Sequence, residues 1–290
     1  METINQQTFR QKWNSYKKHP LAMFALACVI LAATITFGIL VWIVGYILMK
    51  GVPYITTDLF AFTYNTDNVS LLPALINTII MTALSLLIAV PIGIGSAIYL
   101  VEYAKRGNPF VNVISLAAET LSGIPSIVYG LFGMLFFVNA LGWKLSLLSG
   151  ASTLAIMILP LIMRTTQEAL MSVPDTYREG SFGLGAGRLR TVFRVIVPSA
   201  MPGILAGIIL AVGRIVGETA ALIYTAGTIA EVPDSLFSSG RTLSVHMYLI
   251  ASEGLHTNQA YATAVVLLVI VVIINWISAK IAKRVGRKGI

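Results

Sequence analysis

Charge is what this chain has least of. Of its 290 residues only 11% are Asp, Glu, Lys or Arg, while 57% are hydrophobic and the mean hydropathy is +0.83. A soluble domain carries about 25% charged residues, so this chain cannot cover its surface with charge, and lipid must cover it. There is one cysteine, Cys28, inside an apolar run, which excludes a disulfide framework or a cysteine-built metal site within the chain. The histidines, His19, His246 and His256, are scattered and form no H-E-x-x-H pair. A G-x-x-x-x-G-K-[ST] loop is missing too. The nearest spacing, Gly180 to Gly185, has Ala186 where the lysine is needed, so no nucleotide binds by that route and no cofactor is expected in this chain. The net charge of +8 is not a nucleic-acid signal, because the basic residues sit in short segments between apolar runs and form no stripe.

What the chain has in abundance is long apolar runs. A membrane-crossing helix needs roughly 20 mostly apolar residues. Six runs qualify, near 21–49, 71–101, 112–138, 145–163, 200–229 and 258–280. The first follows Lys17 and Lys18 but is too long for the core of a cleavable signal, so it reads as a helix that stays. With the N-terminus placed in the cytoplasm, the cytoplasmic segments hold Arg10, Lys12, Lys17 and Lys18; Lys105 and Arg106; Arg164, Arg178, Arg188, Arg190 and Arg194; and Lys280, Lys283, Arg284, Arg287 and Lys288. That is 16 of the 20 basic residues, against Lys50, Lys144 and Arg241 outside and Arg214 within a span. Positive charge stays inside, so both termini are expected in the cytoplasm. The resulting division is a cytoplasmic segment 1–20, a transmembrane domain 21–280, and a basic cytoplasmic tail 281–290.

Two connections are too long for turns: a cytoplasmic one over about 164–199 and an external one over about 230–257. Long ordered connections carry function more often than short ones. Within the first, Ser172 with Asp175 resembles a capping box and Pro174 suits a first helical turn, predicting a helix to about Leu184. Gly183, Gly185 and Gly187 then open a turn. A second, basic helix is expected to stop near Pro198, with Ser199 and Pro202 starting the fifth span. Two short helices facing the cytoplasm suit a docking surface, or equally a segment resting on anionic lipid.

Charges inside spans default to a functional reading, because each one at the membrane centre costs roughly 2.5–3.5 kcal/mol on insertion scales. Arg214 and Glu218 lie in the fifth run, four residues apart and so on one helix face. They either form an internal ion pair or line a path. An arginine fork suits an oxyanion. Glu119 lies near the cytoplasmic entry of its own run and can reach the interface. Gly203-x-x-x-Gly207 and Gly213-x-x-x-Gly217 read as close helix packing. Pro125, within Ser122-Gly-Ile-Pro-Ser126, should kink the third run, and Pro91, with Gly93 and Gly95, should bend the second.

The cytoplasmic connection resembles the EAA loop of ABC-importer permeases, which is E-A-A, three residues, Gly, nine residues, then I-x-L-P. Here it reads Glu179-Gly180-Ser181, Phe182-Gly183-Leu184, Gly185, and after nine residues Val195-Ile196-Val197-Pro198. Two small residues, Gly180 and Ser181, replace the alanines and the spacing is intact. Further stretches are similar to the PstA branch of the phosphate-transport permeases: Asn77-Thr78 through Ala89-Val-Pro-Ile-Gly93 to Tyr99-Leu-Val-Glu-Tyr103, Gly123-Ile-Pro-Ser-Ile-Val-Tyr-Gly130, and Gly213-Arg-Ile-Val-Gly-Glu-Thr-Ala220. The likeness covers about 70 to 280.

The resemblance implies an all-α, polytopic type I ABC importer permease fold with about six transmembrane helices. In such a protein Glu179, Gly180, Ser181, Gly185 and Pro198 belong to the loop that couples to the ATPase. Arg214 and Glu218, with Thr219 beside them, belong to the substrate path. Ala221 stands where the family often has Pro, which leaves that assignment untouched. The implied partners are a PstC-like sister permease, two PstB-like ATPase subunits that bind the ATP, a PstS-like phosphate-binding protein outside, and the bilayer of a bacterial cytoplasmic (inner) membrane. The cargo is inorganic phosphate, and the chain itself is not an enzyme. An importer permease for sulfate, molybdate or phosphonate would share the docking loop. An ion-coupled secondary transporter would leave that loop unexplained and should show inverted repeats, of which no clear one is seen. A scaffold or sensor would need no buried Arg and Glu.

Overall fold

The computed structural model describes residues 20–105 and 108–288, excluding the side chains of 110 and 281–288. The expectations for the segment up to residue 19, for Arg106 and for the side chains of the basic tail therefore lie outside the described residues. Every regular element among the described residues is helical. Among the described residues five helices are long and apolar enough to cross a membrane, or six when one bent pair counts as a single span.

The first helix, α1 (Pro20–Gly51), is a unit by itself. It is apolar all round and buries no side chain before Gly51, as a helix sheathed in lipid should. Its polar groups are satisfied internally: the hydroxyls of Thr34 and Thr36 donate to the carbonyls of Ile30 and Ala32 at 2.8 and 2.9 Å.

The second unit, residues 51–290, contains the rest. In order these are α2 (Leu72–Ile98), α3 (Pro109–Ser122), α4 (Ser126–Gly133), α5 (Leu147–Met171), α6 (Asp175–Gly183), α7 (Arg188–Thr191), α8 (Val197–Val216), α9 (Ala220–Thr225), α10 (Leu243–Glu253) and α11 (Thr257–Lys288). Wider π turns extend α2 through Tyr99–Tyr103 and α4 through Met134–Ala140, and another, Val192–Ile196, joins α7 to α8.

The centre of this unit is α5. It packs against α2, α3, α4, α8 and α9, because its first turns are small residues, Ser149 to Thr153, that let neighbours approach closely. It is the least hydropathic of the long helices and the most buried, since protein and not lipid surrounds it. Leu154, Met157, Ile158 and Ile162 fill the core around it, and the Ser85 hydroxyl of α2 reaches the Ala151 carbonyl at 3.1 Å. Gly203 and Gly207 of α8 face Ala169 and Thr165 of α5, where an added methyl would overlap them. That half of the glycine pattern is packing inside this chain. Gly213 has nothing within 4 Å.

Several helices differ from the sequence-based expectation. The fifth span starts earlier than expected, as one helical stretch from Arg188 to Val216. Pro198 does not stop it. The ring would clash with a carbonyl one turn back and lacks an N–H, and the π turn at Val192–Ile196 just before it gives the backbone room. Pro91 lies inside the continuous helix α2; membrane helices tolerate proline where neighbouring groups take up the freed carbonyl. Ser172 caps nothing; its hydroxyl donates backwards to the Ala169 carbonyl at 2.7 Å, and α6 has no side-chain cap.

One end of the unit gathers the segments around 141–147 and 226–243. The Ser146 amide bonds the Thr225 carbonyl at 3.0 Å, Leu147 bonds Ser238 at 3.1 Å, and the Asn77 side-chain amide bonds the Glu231 carbonyl at 2.9 Å. The long connection 230–257 is thus tied down, and it holds α10, ended by Gly254 in the left-handed region at φ 75°. His246 of α10 is fully buried, with Tyr64 edge-on at 6.1 Å and Arg241 stacked over the Tyr64 ring at 4.5 Å.

Burial, aided by the Arg241 charge, pushes the His246 pKa down to about 3; the Val69 carbonyl opposes this but completes no hydrogen bond with either ring nitrogen. An unfolded histidine takes a proton below about 6.5, and the fold refuses it. Stability is therefore lost as pH falls from there toward 3, by about 2 kcal/mol at pH 5. Thermal unfolding of the detergent-purified protein should show this slope between pH 7 and 5, and His246→Leu should remove it.

Candidate functional site

Two broken helices meet in this unit. The first break lies between α3 and α4, whose axes differ by 102° across Gly123–Pro125. Pro125 has no N–H to continue α3, and the residue before a proline avoids helical backbone. A break of this kind leaves orphan carbonyls that lipid cannot satisfy. Tyr129 supplies a donor: its hydroxyl bonds the Leu121 carbonyl in the last turn of α3 at 2.7 Å.

The second break lies between α8 and α9. The sequence placed Arg214 and Glu218 on one helix face, but α8 ends at Val216 and Glu218 sits in the gap before α9. Glu218 is held at two points. Its carboxylate accepts from the Ala221 amide at 3.0 Å, capping α9, and its backbone carbonyl accepts from the Ser244 hydroxyl of α10 at 2.5 Å. Its side chain therefore competes with continuation of α8 and wins. Thr219 is the N-cap of α9 and gives its carbonyl to the amides of Leu222 and Ile223, both at 3.2 Å.

The breaks are adjacent because α4 and α9 pack backbone to backbone. A methyl added to Gly130 would lie 2.7 Å from the Ala221 Cα, and one on Gly133 would overlap Thr153 and Thr225. This brings Tyr129 within electrostatic reach of Arg214.

Arg214 lies in the last turn of α8, partly exposed, where the helix dipole favours a cation. Among the described residues it has neither an ion-pair nor a hydrogen-bond partner, and Glu218 is bonded elsewhere. The internal ion pair that the sequence left open is not formed. What remains is a guanidinium with its donors free beside two helix breaks, an arrangement that can take an oxyanion by charge-assisted bonds. Sequence reasoning missed Tyr129 and Ser244. A hydroxyl four residues past the kink proline was the available sign for Tyr129; nothing local marks Ser244.

At the far end from this gap lies α6. Glu179 and Gly180 are exposed on it, and Tyr177, Phe182 and Leu184 are exposed apolar side chains, Leu184 at 91%. Gly185 takes φ +80°, which only glycine adopts without strain, and the hydroxyls of Ser181 and Thr191 close the α6–α7 hairpin at 2.8 Å. Pro198 lies beyond this hairpin, in the first turn of α8. Glu119 reaches solvent, as its position near the span entry suggested, and pairs loosely with Arg164 at 3.5 Å.

A family model described as "Binding-protein-dependent transport system inner membrane component" matches residues 89–287. The chain is 34% identical to a probable ABC transporter permease protein, YqgI, of Bacillus subtilis over 90% of this chain and 95% of that one. It is 30% identical to the phosphate transport system permease protein PstA of Mycobacterium leprae over 83% and 81%. Among solved structures, it is similar to a chain of a bacterial alginate ABC transporter in complex with an alginate pentasaccharide-bound periplasmic protein, with a TM-score of 0.69 at 18% identity, covering 94% and 98%.

Proposed function

Because this chain belongs to the binding-protein-dependent transport system inner membrane components, we propose that it passes inorganic phosphate across the cytoplasmic membrane, driven by ATP hydrolysed on separate subunits. It is a multi-pass ABC importer permease with the type I importer fold. The observation that carries the phosphate reading is Arg214, unpaired where two broken helices meet. Relatives named as phosphate permeases support it.

In this reading the break at 217–219 does what transporter helix breaks do: it exposes backbone and a charge to a water-filled path while neighbouring protein satisfies the rest. Glu218 holds the break open through Ala221 and Ser244. Arg214 supplies the positive fork, Tyr129 lies within electrostatic reach of it, and Thr219 lies at the N-terminus of α9. Both chain termini face the cytoplasm, and α6 with its exposed Glu179 and apolar side chains docks on an ATPase. A second such permease, a second ATPase and a phosphate-binding protein outside complete the importer. Selectivity between phosphate and its competitors depends on the sister chain as well, since the path lies between the two.

The test is uptake of labelled phosphate, sulfate and molybdate by cells with and without this chain. Loss of phosphate uptake alone is the expected result. Intact phosphate uptake with sulfate or molybdate lost would overturn the substrate and leave the permease standing.

A further inference from the structure

Among the described residues Arg178 on α6 is the most fully hydrogen-bonded charge, and its side chain turns onto the ends of α2 and α5. All five of its N–H donors are used. Nη2 bonds the Glu102 carboxylate at 2.6 Å and the Leu170 carbonyl at 3.0 Å, Nε bonds Glu102 at 3.2 Å, and Nη1 bonds the Val173 carbonyl at 2.8 Å and Asp175 at 3.2 Å. Its side chain is 17% exposed and that of Glu102 only 8%. The carboxylate bonded to the guanidinium pushes its pKa up, with burial working the other way. Glu102 lies in the π turn that ends α2, Leu170 lies in the last turn of α5, and Val173 lies in the connection from α5 to α6. One side chain therefore joins α6 to two membrane helices.

The neighbouring helix is joined differently. α3 reaches α5 at this end through Arg164–Glu119, at 3.5 Å and with both side chains more than half exposed. Exposed pairs contribute little, whereas removing one partner of a buried pair leaves a charge unpaired in protein. Between α3 and the α2–α5–α6 group lies a cavity of about 600 Å³, lined by Asn112, Glu119, Arg164 and Arg178 among others. The polar tie of α3 is open to water; that of α6 to α2 is shielded from it.

We propose that Arg178 and Glu102 are positioning residues that carry movement of the docking helix α6 into α2 and α5, so that ATP hydrolysis drives import only while the pair is intact. This rests on the reading that α6 docks on an ATPase. Both side chains are spent on bonds within this chain, so their loss should separate two activities that a merely structural defect would lower together.

The measurement is anion imported per ATP hydrolysed by the whole importer in proteoliposomes, using whichever oxyanion the wild type moves. A wrong substrate assignment then does not affect the outcome. Glu102→Gln keeps the size and the carbonyl bonds of Arg178 and removes only the charge. Import should fall about tenfold, the scale on which residues of a coupling network act, while ATP hydrolysis stays within about twofold of wild type. Glu119→Gln, which removes the carboxylate of the exposed Arg164 pair outside the docking helix, should leave the ratio unchanged. Arg178→Lys, whose compact ammonium lacks the planar fork that reaches the carboxylate and both carbonyls together, should lower the ratio in the same direction and decides the matter if Glu102→Gln does not assemble. Import and hydrolysis falling in proportion, or both staying at wild-type values, in an assembled complex would overturn the proposal, as would a wild type that couples no ATP hydrolysis to import.

Discussion

Exchanging Arg214 and Glu218 should abolish phosphate import, by about 10²–10³-fold, the scale on which losing one preorganised charged or hydrogen-bonding group acts in a site. Were the two an internal ion pair, the exchange would restore it and import would survive. The structure separates them. Glu218 spends its carboxylate on the Ala221 amide, and Arg214 has its donors free. After exchange, an arginine at position 218 can only donate, so the Ala221 amide loses its acceptor. A glutamate at position 214 puts negative charge in the last turn of α8, against the helix dipole and against an incoming anion. The single variant Arg214→Gln should lose import to a similar extent while the importer complex still assembles and hydrolyses ATP. Uptake of labelled phosphate, read beside recovery of the complex, checks both. Survival of import in the exchanged variant would remove Arg214 from the substrate path.

Why the sequence disclosed some of this and not the rest is a matter of range. Membrane crossing is a property of about 20 consecutive residues, so the runs that became α1, α2, α5 and α11 were visible directly. The kink at Pro125 was visible because proline acts on its own backbone. The break at 217–219 was only faintly marked, by Gly217 at the end of α8 and Thr219 at the start of α9, and what holds it is a hydroxyl from Ser244 and a carboxylate reaching forward to the Ala221 amide. Continuation of Arg188–Val216 through Pro198 was hidden for the converse reason, since a π turn one step upstream absorbs the proline. The Glu102–Arg178 pair joins residues 76 apart in sequence, both of which look locally like ordinary interface charges. The sequence did show where charge lies within the membrane runs; it could not show which charges find each other.

Gly130→Val is the backbone counterpart of the Arg214 test and should be about as damaging. The α4–α9 crossing that sets the two breaks side by side depends on Gly130 having no side chain, since a Cβ there meets the Ala221 Cα at 2.7 Å and its carbonyl oxygen at 3.1 Å. Those are main-chain atoms of a helix capped by Glu218, so they cannot rotate aside as a side chain would. The crossing must widen, which costs about 1–3 kcal/mol as overpacking, and it carries α9 and the Glu218 cap away from Tyr129 and Arg214. Import should therefore fall by more than about tenfold even where the chain folds, because a site displaced by about 1 Å loses on the order of 10²-fold. Gly95→Ala is the control, for nothing lies within 4 Å of a Cβ there. In a helix interior it should be neutral or stabilising by up to about 1 kcal/mol. Thermal unfolding of the two variants beside phosphate uptake separates the effects. If Gly130→Val unfolds at the wild-type temperature and imports at the wild-type rate, the two breaks need not touch, and Arg214 acts without α9.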